Sequence, residues 1–319
     1  MQRYIIQMTS FPRNLQTRAR IMRAIRQFFE NRRYLEVDTP CRIPAPMPEA
    51  TILAQPSGGW FLQTSPEICM KQLLARGLDR IYQLCKAFRQ QERGPKHLPE
   101  FTILEWYQKG ADYNDLMAET RDLIRFIARQ LAGTPDDPST APLPYQRHMI
   151  DLSQEWEKLT VDEAFSRYAS ISLETILAEP DPADRFDECM GFEIEPKLGW
   201  DVPVFLYDYP ASLGAAYARC KHEDPAIVER FELYIGGLEL CNGFSELTGR
   251  AVYKKRFETE DRLRQARLNA KYPTPKRFLD AVAHMPDAAG NALGVDRLVM
   301  LFCNTGRIDD VVAFTPETL

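Results

Sequence analysis

From Leu15 to Asn31 apolar side chains recur at helical spacing, with Ile21, Ile25, Phe28 and Phe29 along one stripe, so this segment predicts a helix. Leu35–Thr39 then alternates and stops at Pro40, the pattern of a short strand, and Pro44, Pro46 and Pro48 mark an extended loop. Ser65-Pro66-Glu67 opens a second helix, with Ser65 as its cap and Pro66 in its first turn. A strongly periodic third helix covers Leu116–Leu131. Gly133–Pro144, rich in proline, aspartate and threonine, reads as a linker, and short helical segments from about Thr160 to Gly199 read as a helical insertion at about 145–200. Strands return at Val204–Tyr209, Phe231–Ile235, Leu238–Asn242 and Asn291–Val295, with helices at Arg250–Lys271, Lys276–His284 and Asp296–Phe302. Hairpin-connected strands with helices grouped around them predict an α+β fold in one domain, an antiparallel sheet flanked by helices.

Two alternating runs around the polar loop Gln90–Pro99 carry the densest chemistry. The first, from about Ile81, places Gln83, Cys85, Ala87 and Arg89 on one face, and the second places Phe101, Ile103, Glu105 and Tyr107 on one face. On a shared sheet face these supply a guanidinium, an aromatic plate, a carboxylate and a phenol. A guanidinium fork suits a phosphate, a flat ring suits a purine, and a buried carboxylate needs a cation. Taken alone, the same hairpin also reads as an antiparallel sheet with one solvated face.

Gly236-Gly237 forms a two-residue hairpin turn, setting Ile235 opposite Leu238, Tyr234 opposite Glu239 and Glu232 opposite Cys241. Glu232 and Glu239 are then diagonal neighbours that repel unless something positive lies between them, a need that a magnesium ion carrying phosphate oxygens meets. Strict alternation sends Asn242 to the opposite face, with a bulge at Gly243 as the alternative. Asp296 falls near the cap of the last helix and Arg297 in its first turn, where the helix dipole disfavours a cation unless an anion arrives. Arg297 also reads as a surface arginine paired with a nearby acid.

The 319 residues are 45% hydrophobic and carry a net charge of −5, which is not the electrostatic footprint of a broad nucleic-acid grip. The basic residues of Tyr253–Lys271 are interleaved with acids and read as a solvated face. Seven scattered cysteines, none in a C-x-x-C pair, and four dispersed histidines argue against a disulfide framework and a zinc site. No apolar run is long enough to span a membrane and Met1–Met8 lacks a signal-peptide pattern, so the expectation is a cytoplasmic protein.

Together, Phe28–Pro40, Phe88–Tyr107 and Ala292–Leu301 resemble the three ordered motifs of class II aminoacyl-tRNA synthetases. Thr64-Ser65-Pro66-Glu67 and Asn242-Gly243-Phe244-Ser245-Glu246-Leu247 narrow the resemblance to the lysyl branch. The first motif begins within thirty residues of Met1, leaving no room for an N-terminal anticodon-binding domain. The resemblance is therefore to the free-standing paralogues, the elongation factor P–lysine ligases, and Ser65 and Ala292 fit that subgroup.

The resemblance implies that Arg89 holds the α-phosphate, Phe101 stacks on adenine and Arg297 meets the terminal phosphate, with Gln91, Leu98, Glu239, Leu240 and Gly294 also at the ATP site. Glu232 and Glu239 would hold Mg2+. Ser65, Pro66, Glu67, Asn242 and Ala292 would line the amino-acid site, Glu67 contacting the backbone amine, while Glu105, Tyr107 and Glu246 line the pocket for the distal ammonium. Gln91 and Leu98 depart from the family pattern, which has glutamate and asparagine there.

The implied activity is ATP-dependent adenylation of lysine or (R)-β-lysine and transfer to a lysine ε-amine of elongation factor P, by a homodimer with no stable tRNA binding. The alternatives are a non-catalytic paralogue that binds lysine or ATP as a regulator, and another amide-forming ligase of the same fold.

Overall fold

The computed structural model describes residues 2–134, 141–213 and 217–319. The predicted linker is thus described only at its ends, residues 135–140 lying outside. The main sheet contains β1 (Leu35–Glu36), β2 (Arg80–Phe88), β3 (Glu100–Lys109), β4 (Glu157–Thr160), β5 (Val204–Pro210), β6 (Ile227–Ile235), β7 (Leu238–Ser245) and β8 (Ala288–Gly294). Their spatial order is β1-β2-β3-β8-β7-β6-β5-β4. The inner strands pair antiparallel, as expected, while each edge carries one parallel strand, β1 against β2 and β4 against β5. Both edge strands are reached through helical or loop crossovers, which a hairpin-only reading does not supply.

The helices are α1 (Gln2–Asn31), α2 (Glu67–Ala75), α3 (Tyr113–Ala132), α4 (Val161–Tyr168), α5 (Leu173–Leu177), α6 (Ala183–Cys189), α7 (Arg250–Leu268), α8 (Lys276–Ala281) and α9 (Val295–Phe302). Helix α1 continues N-terminally past Pro12, which removes one backbone donor without ending the helix. The predicted insertion opens with a small hairpin, Leu143–Tyr145 with His148–Ile150, and then with β4; its helices begin only at Val161. That helical segment closes its own apolar cluster, including Phe165, Ile176 and Ile194, against Leu206 and Val228 of the sheet.

The alternation of β3 divides the molecule. Leu104 and Trp106 enter the main core with Phe28 and Phe29 of α1 and with Leu116 and Leu123 of α3. Phe29 stacks on Tyr82 at 4.7 Å and tilts against Trp106 at 5.4 Å. The odd-numbered side chains of β3 turn the other way, toward a face lined by α2, α7 and α8 through Ile68, Tyr253, Phe257 and Phe278. Alternation along one strand thus gives one dry face and one face open to chemistry.

Arg264 of α7 corrects the solvated reading of that helix. It is buried over the Tyr272 ring, 4.3 Å from the centroid, and pairs with Asp261. Lys254, Lys255 and Arg262 do face solvent.

One polar tie locks three segments together. Arg18 of α1 donates to Asp296 at 2.5 Å and to Thr102 Oγ1 at 2.7 Å, while the Thr102 backbone N–H donates to the other Asp296 oxygen at 2.7 Å. Asp296 is buried, so losing Arg18 leaves a desolvated carboxylate short of its counter-charge. Arg18→Ala should therefore cost about 2–4 kcal/mol of unfolding free energy, somewhat below the figure for a fully buried pair because Arg18 is partly accessible. Denaturant titration of both proteins checks this, and an unchanged midpoint would remove the tie from the account.

Candidate active site

A cavity of about 700 Å³ opens on the open face of the sheet. Its floor is a row of residues paired across the strands: Glu105 with Ala292, Ala292 with Asn242, and Asn242 with Glu232; Gln83 pairs with Glu105 but is buried outside the cavity lining. At one strand spacing per step, Glu105 and Glu232 stand about 14 Å apart. The row exists because of a bulge. Tyr234 pairs with Glu239 but Leu233 pairs with Cys241, so Leu240 is the extra residue. Glu232 therefore faces Asn242 rather than Cys241, and the bulge lies at Leu240 rather than at Gly243. It resets the alternation, so Glu239 and Asn242 both reach the cavity.

At the Glu105 end the carboxylate is 1% exposed and accepts from the Ser65 hydroxyl at 2.5 Å and the Tyr107 hydroxyl at 3.0 Å. Ser65 is not the N-cap residue of α2; Pro66 occupies that position, while Ser65 Oγ accepts from the Glu67 N–H at 3.0 Å. Burial pushes the Glu105 carboxyl up to about 7, nearby Glu67 adds to the rise, and the two hydroxyl donors oppose it. Behind this wall lies a cation that the sequence reading did not single out. Lys71 is fully buried, 2.5 Å from Glu67 and 2.5 Å from Glu246, and donates to Tyr253 at 3.3 Å. Its ammonium keeps its proton well above the ordinary range because Glu246 and Glu67 outweigh the desolvation that opposes charge.

Glu246 is thus placed differently from expectation. It pairs with Lys71 behind the cavity wall, and neither it nor Pro66 lines the cavity. Burial raises its carboxyl to about 8, Lys71 opposing and Glu67 adding to the rise. Its Oε1 has no hydrogen-bond partner and abuts Gly290. A side chain at Gly290 would overlap the Tyr107 ring and this carboxylate, so glycine is required there by close approach alone.

At the other end Glu232 accepts from Tyr209 at 2.6 Å, Tyr234 at 2.7 Å and Arg230 at 2.6 Å. Arg230 also donates to Asn242 at 3.0 Å. Burial raises the Glu232 carboxyl despite Arg230, with Glu239 adding to the rise. Arg297 reaches from the first turn of α9 to the Glu239 carbonyl at 2.8 Å, its carboxylate at 3.1 Å and His97 at 2.6 Å. The acid partner that a surface-arginine reading called for is present, but inside the cavity. Burial, and then Arg297, hold the His97 imidazole below its ordinary pKa.

Arg89 follows β2 with its guanidinium carbon 5.1 Å from the Phe101 centroid and Glu92 at 3.8 Å. Gln91 takes a left-handed φ of 69°, a conformation that non-glycine residues adopt at a cost of about 1–3 kcal/mol, and it lines the cavity. Leu98 both packs in the main core and reaches the cavity wall. Phe101, Leu240, Gly294 and Ala292 also line it.

The sequence reading therefore missed Glu49, Lys71, His97, Arg230 and Gly290. Two had a visible signal: Lys71 is one helical turn from Glu67, and Arg230 shares a strand face with Glu232. Among the described residues no group of three or more histidine, cysteine or carboxylate side chains is arranged to hold a metal by itself. Both Glu232 oxygens are held by Arg230, Tyr209 and Tyr234, and one Glu239 oxygen by Arg297, so a magnesium ion, which takes one or two carboxylates with phosphate and water, would have to exchange with these donors.

A largely antiparallel sheet thus carries a cavity lined by carboxylates, two arginines and an aromatic plate. The family model described as tRNA synthetases class II (D, K and N) matches residues 2–318, and the chain belongs to that family. It is an ATP-dependent ligase of the class II synthetase type. Over 318 residues it is 40% identical to elongation factor P–(R)-β-lysine ligases from Pectobacterium carotovorum, Salmonella arizonae and Enterobacter sp., covering 95% of this chain and 95% of each relative.

The raised carboxyls have a measurable consequence. A carboxyl raised from 4.5 to about 7 or 8 binds its proton more tightly when folded, so its contribution is full below 4.5 and is lost as pH rises through the folded value. The melting temperature of ligand-free protein should fall between about pH 5 and 8, and Glu105→Gln should flatten that slope. Thermal melts across the range check this; a slope identical in the variant would show that Glu105 titrates normally.

Proposed function

We propose that this chain activates lysine or (R)-β-lysine with ATP and passes the aminoacyl group to a lysine ε-amine of elongation factor P. The observation that carries the reading is the cavity lining, in which Glu67 and Glu105 are available for amines while Arg89 and Arg297 are available for phosphate. In the first step a carboxylate oxygen of the amino acid attacks the α-phosphorus of ATP and pyrophosphate leaves. In the second, the acceptor amine attacks the activated carbonyl, loses a proton and displaces AMP.

In this reading Arg89 holds the α-phosphate and Arg297 the terminal phosphate, exchanging its contact with Glu239 for the incoming anion. Phe101 stacks on the adenine, with Gln91, Leu98, Leu240 and Gly294 around the nucleotide. Glu67 takes the backbone amine; Ser65 and Tyr107 orient Glu105 toward the distal ammonium. Glu232 and Glu239 would hold magnesium, which when bound neutralises phosphate charge. These groups act by preorganised electrostatics around developing charge, and the carboxylates select for amines because an uncharged side chain leaves them unpaired.

Glu246 contributes through Lys71 rather than by direct contact in this state. Exposed Leu35 on the edge strand supports pairing of two copies through the first motif. The net charge of −5 supports protein rather than tRNA as the acceptor.

Intact-mass measurement of elongation factor P, after incubation with ATP and each candidate amino acid, tests the activity directly. A mass increase of one lysyl or β-lysyl group is expected, and an unmodified factor with both substrates would overturn the reading. Arg89→Ala and Arg297→Ala should each lower lysine-dependent exchange of pyrophosphate into ATP by at least about 100-fold. Full activity in both would remove the phosphate site.

Ala292 lies between Glu105 and Asn242 in the floor row, so its methyl narrows the space beside the amine. One methyl in a packed pocket is worth about 10- to 200-fold in discrimination. Ala292→Gly should raise kcat/KM for α-lysine relative to β-lysine by about 10-fold, measured by adenylation of both isomers; an unchanged ratio would leave Ala292 as packing only.

A further inference from the structure

Glu49 lies on the loop between Pro44 and Gln55, outside every motif discussed above, yet its side chain forms part of the cavity wall. The loop is pinned from four directions. Tyr217 donates to the Pro48 carbonyl, the Ala50 N–H donates to Glu260 at 2.9 Å, the Ala54 N–H donates to the Tyr272 hydroxyl at 2.9 Å, and the Gln90 N–H donates to the Leu53 carbonyl at 2.8 Å. Glu260 and Tyr272 are in turn positioned by α7 and the buried Arg264. Such anchoring presents Glu49 from a fixed backbone.

The surroundings of Glu49 are short of positive charge. Arg89 is the cation that faces it, and Glu67, Glu260 and Glu105 face it as well. The other cavity acids have internal partners: Glu67 has Lys71, Glu105 has Ser65 and Tyr107, and Glu239 has Arg297. Glu49 has no hydrogen bond or ion pair with the described residues. Glu49 is half-buried and lines the cavity, and an unpartnered carboxylate among like charges there favours a cation as its partner. In the ligand-free protein burial and these neighbours push its carboxyl up to about 8, Arg89 opposing.

Arg89, Glu67 and Glu105 all act on Glu49 and line the same cavity. Because the functional reading gives Arg89 to the α-phosphate and Glu67 to the backbone amine, Glu49 stands beside the groups assigned to the reacting end. We propose that Glu49 is a specificity-determining residue that grips, together with Glu67, the ammonium nearest the reacting carboxylate of a diamino-acid substrate. This deepens the functional reading above and rests on it. Two carboxylates from independent elements, α2 and the pinned loop, bracket that ammonium and make the position of the amine along the substrate chain legible to the enzyme.

Glu49→Gln tests this in the full-length protein, with lysine as the complete probe and 6-aminohexanoate as a competitor that keeps the carboxylate and distal amine but lacks the near one. A charge-assisted hydrogen bond removed from a desolvated ammonium corresponds to about 10- to 100-fold. KM for lysine in pyrophosphate exchange should rise by that factor, kcat should change by less than about threefold, and inhibition by 6-aminohexanoate should stay within about twofold. Glu49→Asp should recover part of the lysine affinity. The melting temperature of ligand-free Glu49→Gln should equal or exceed that of wild type above pH 8, since an unpaired charge has been removed. Equal weakening of lysine and 6-aminohexanoate, or an unchanged KM for lysine, would overturn the proposal. A wild-type protein that supports exchange with neither lysine nor β-lysine would instead overturn the functional reading itself.

Discussion

Glu67, Glu105 and Glu246 crowd around one end of the cavity, and desolvation of these carboxylates is tolerated because something already in the protein answers most of them. Lys71 sits between two of the acids at 2.5 Å from each, and hydroxyls from Ser65 and Tyr107 donate to the third. Lys71 is therefore a fixed internal counter-charge. Without it, the Glu246 carboxyl would rise further still, because Lys71 is the charge that opposes its desolvation.

The same need for compensation organises the opposite end. Glu232 takes three donors and Glu239 takes Arg297, so the acids on this side are answered by internal cations and hydroxyls. Arg230 ties two adjacent strands together, donating to Glu232 and to Asn242 of the floor row.

This polar apparatus stands on an apolar support. Trp106 and Leu104 point away from the cavity into the Phe28–Phe29 stripe, and Asp296 fastens α9 to both α1 and β3. Arg297 is the next residue after Asp296, so the tie that stabilises the fold also aims the guanidinium. The stability of the fold and the placement of Arg297 in the cavity share these contacts.

The periodicity of the chain was sufficient for the helices at α1 and α3, for the Arg80–Phe88 and Glu100–Lys109 hairpin and for the shared face bearing Arg89, Phe101, Glu105 and Tyr107, because alternation and helical spacing are local properties of neighbouring residues. The Gly236-Gly237 turn was legible for the same reason. The bulge at Leu240 was not: it depends on how β7 registers with both β6 and β8, and it decides whether Asn242 reaches the cavity at all. The partner of Glu246 was likewise hidden, since Lys71 is distant in sequence and becomes its counter-ion only when α2 packs beside the sheet. Glu49 carried no local signal, because its place on the wall follows from contacts with α7, Tyr217 and Tyr272. Local pattern determined which residues share an element and a face; only tertiary packing decided which buried charges answer one another, because desolvation and ion pairing depend on distances that sequence separation does not set.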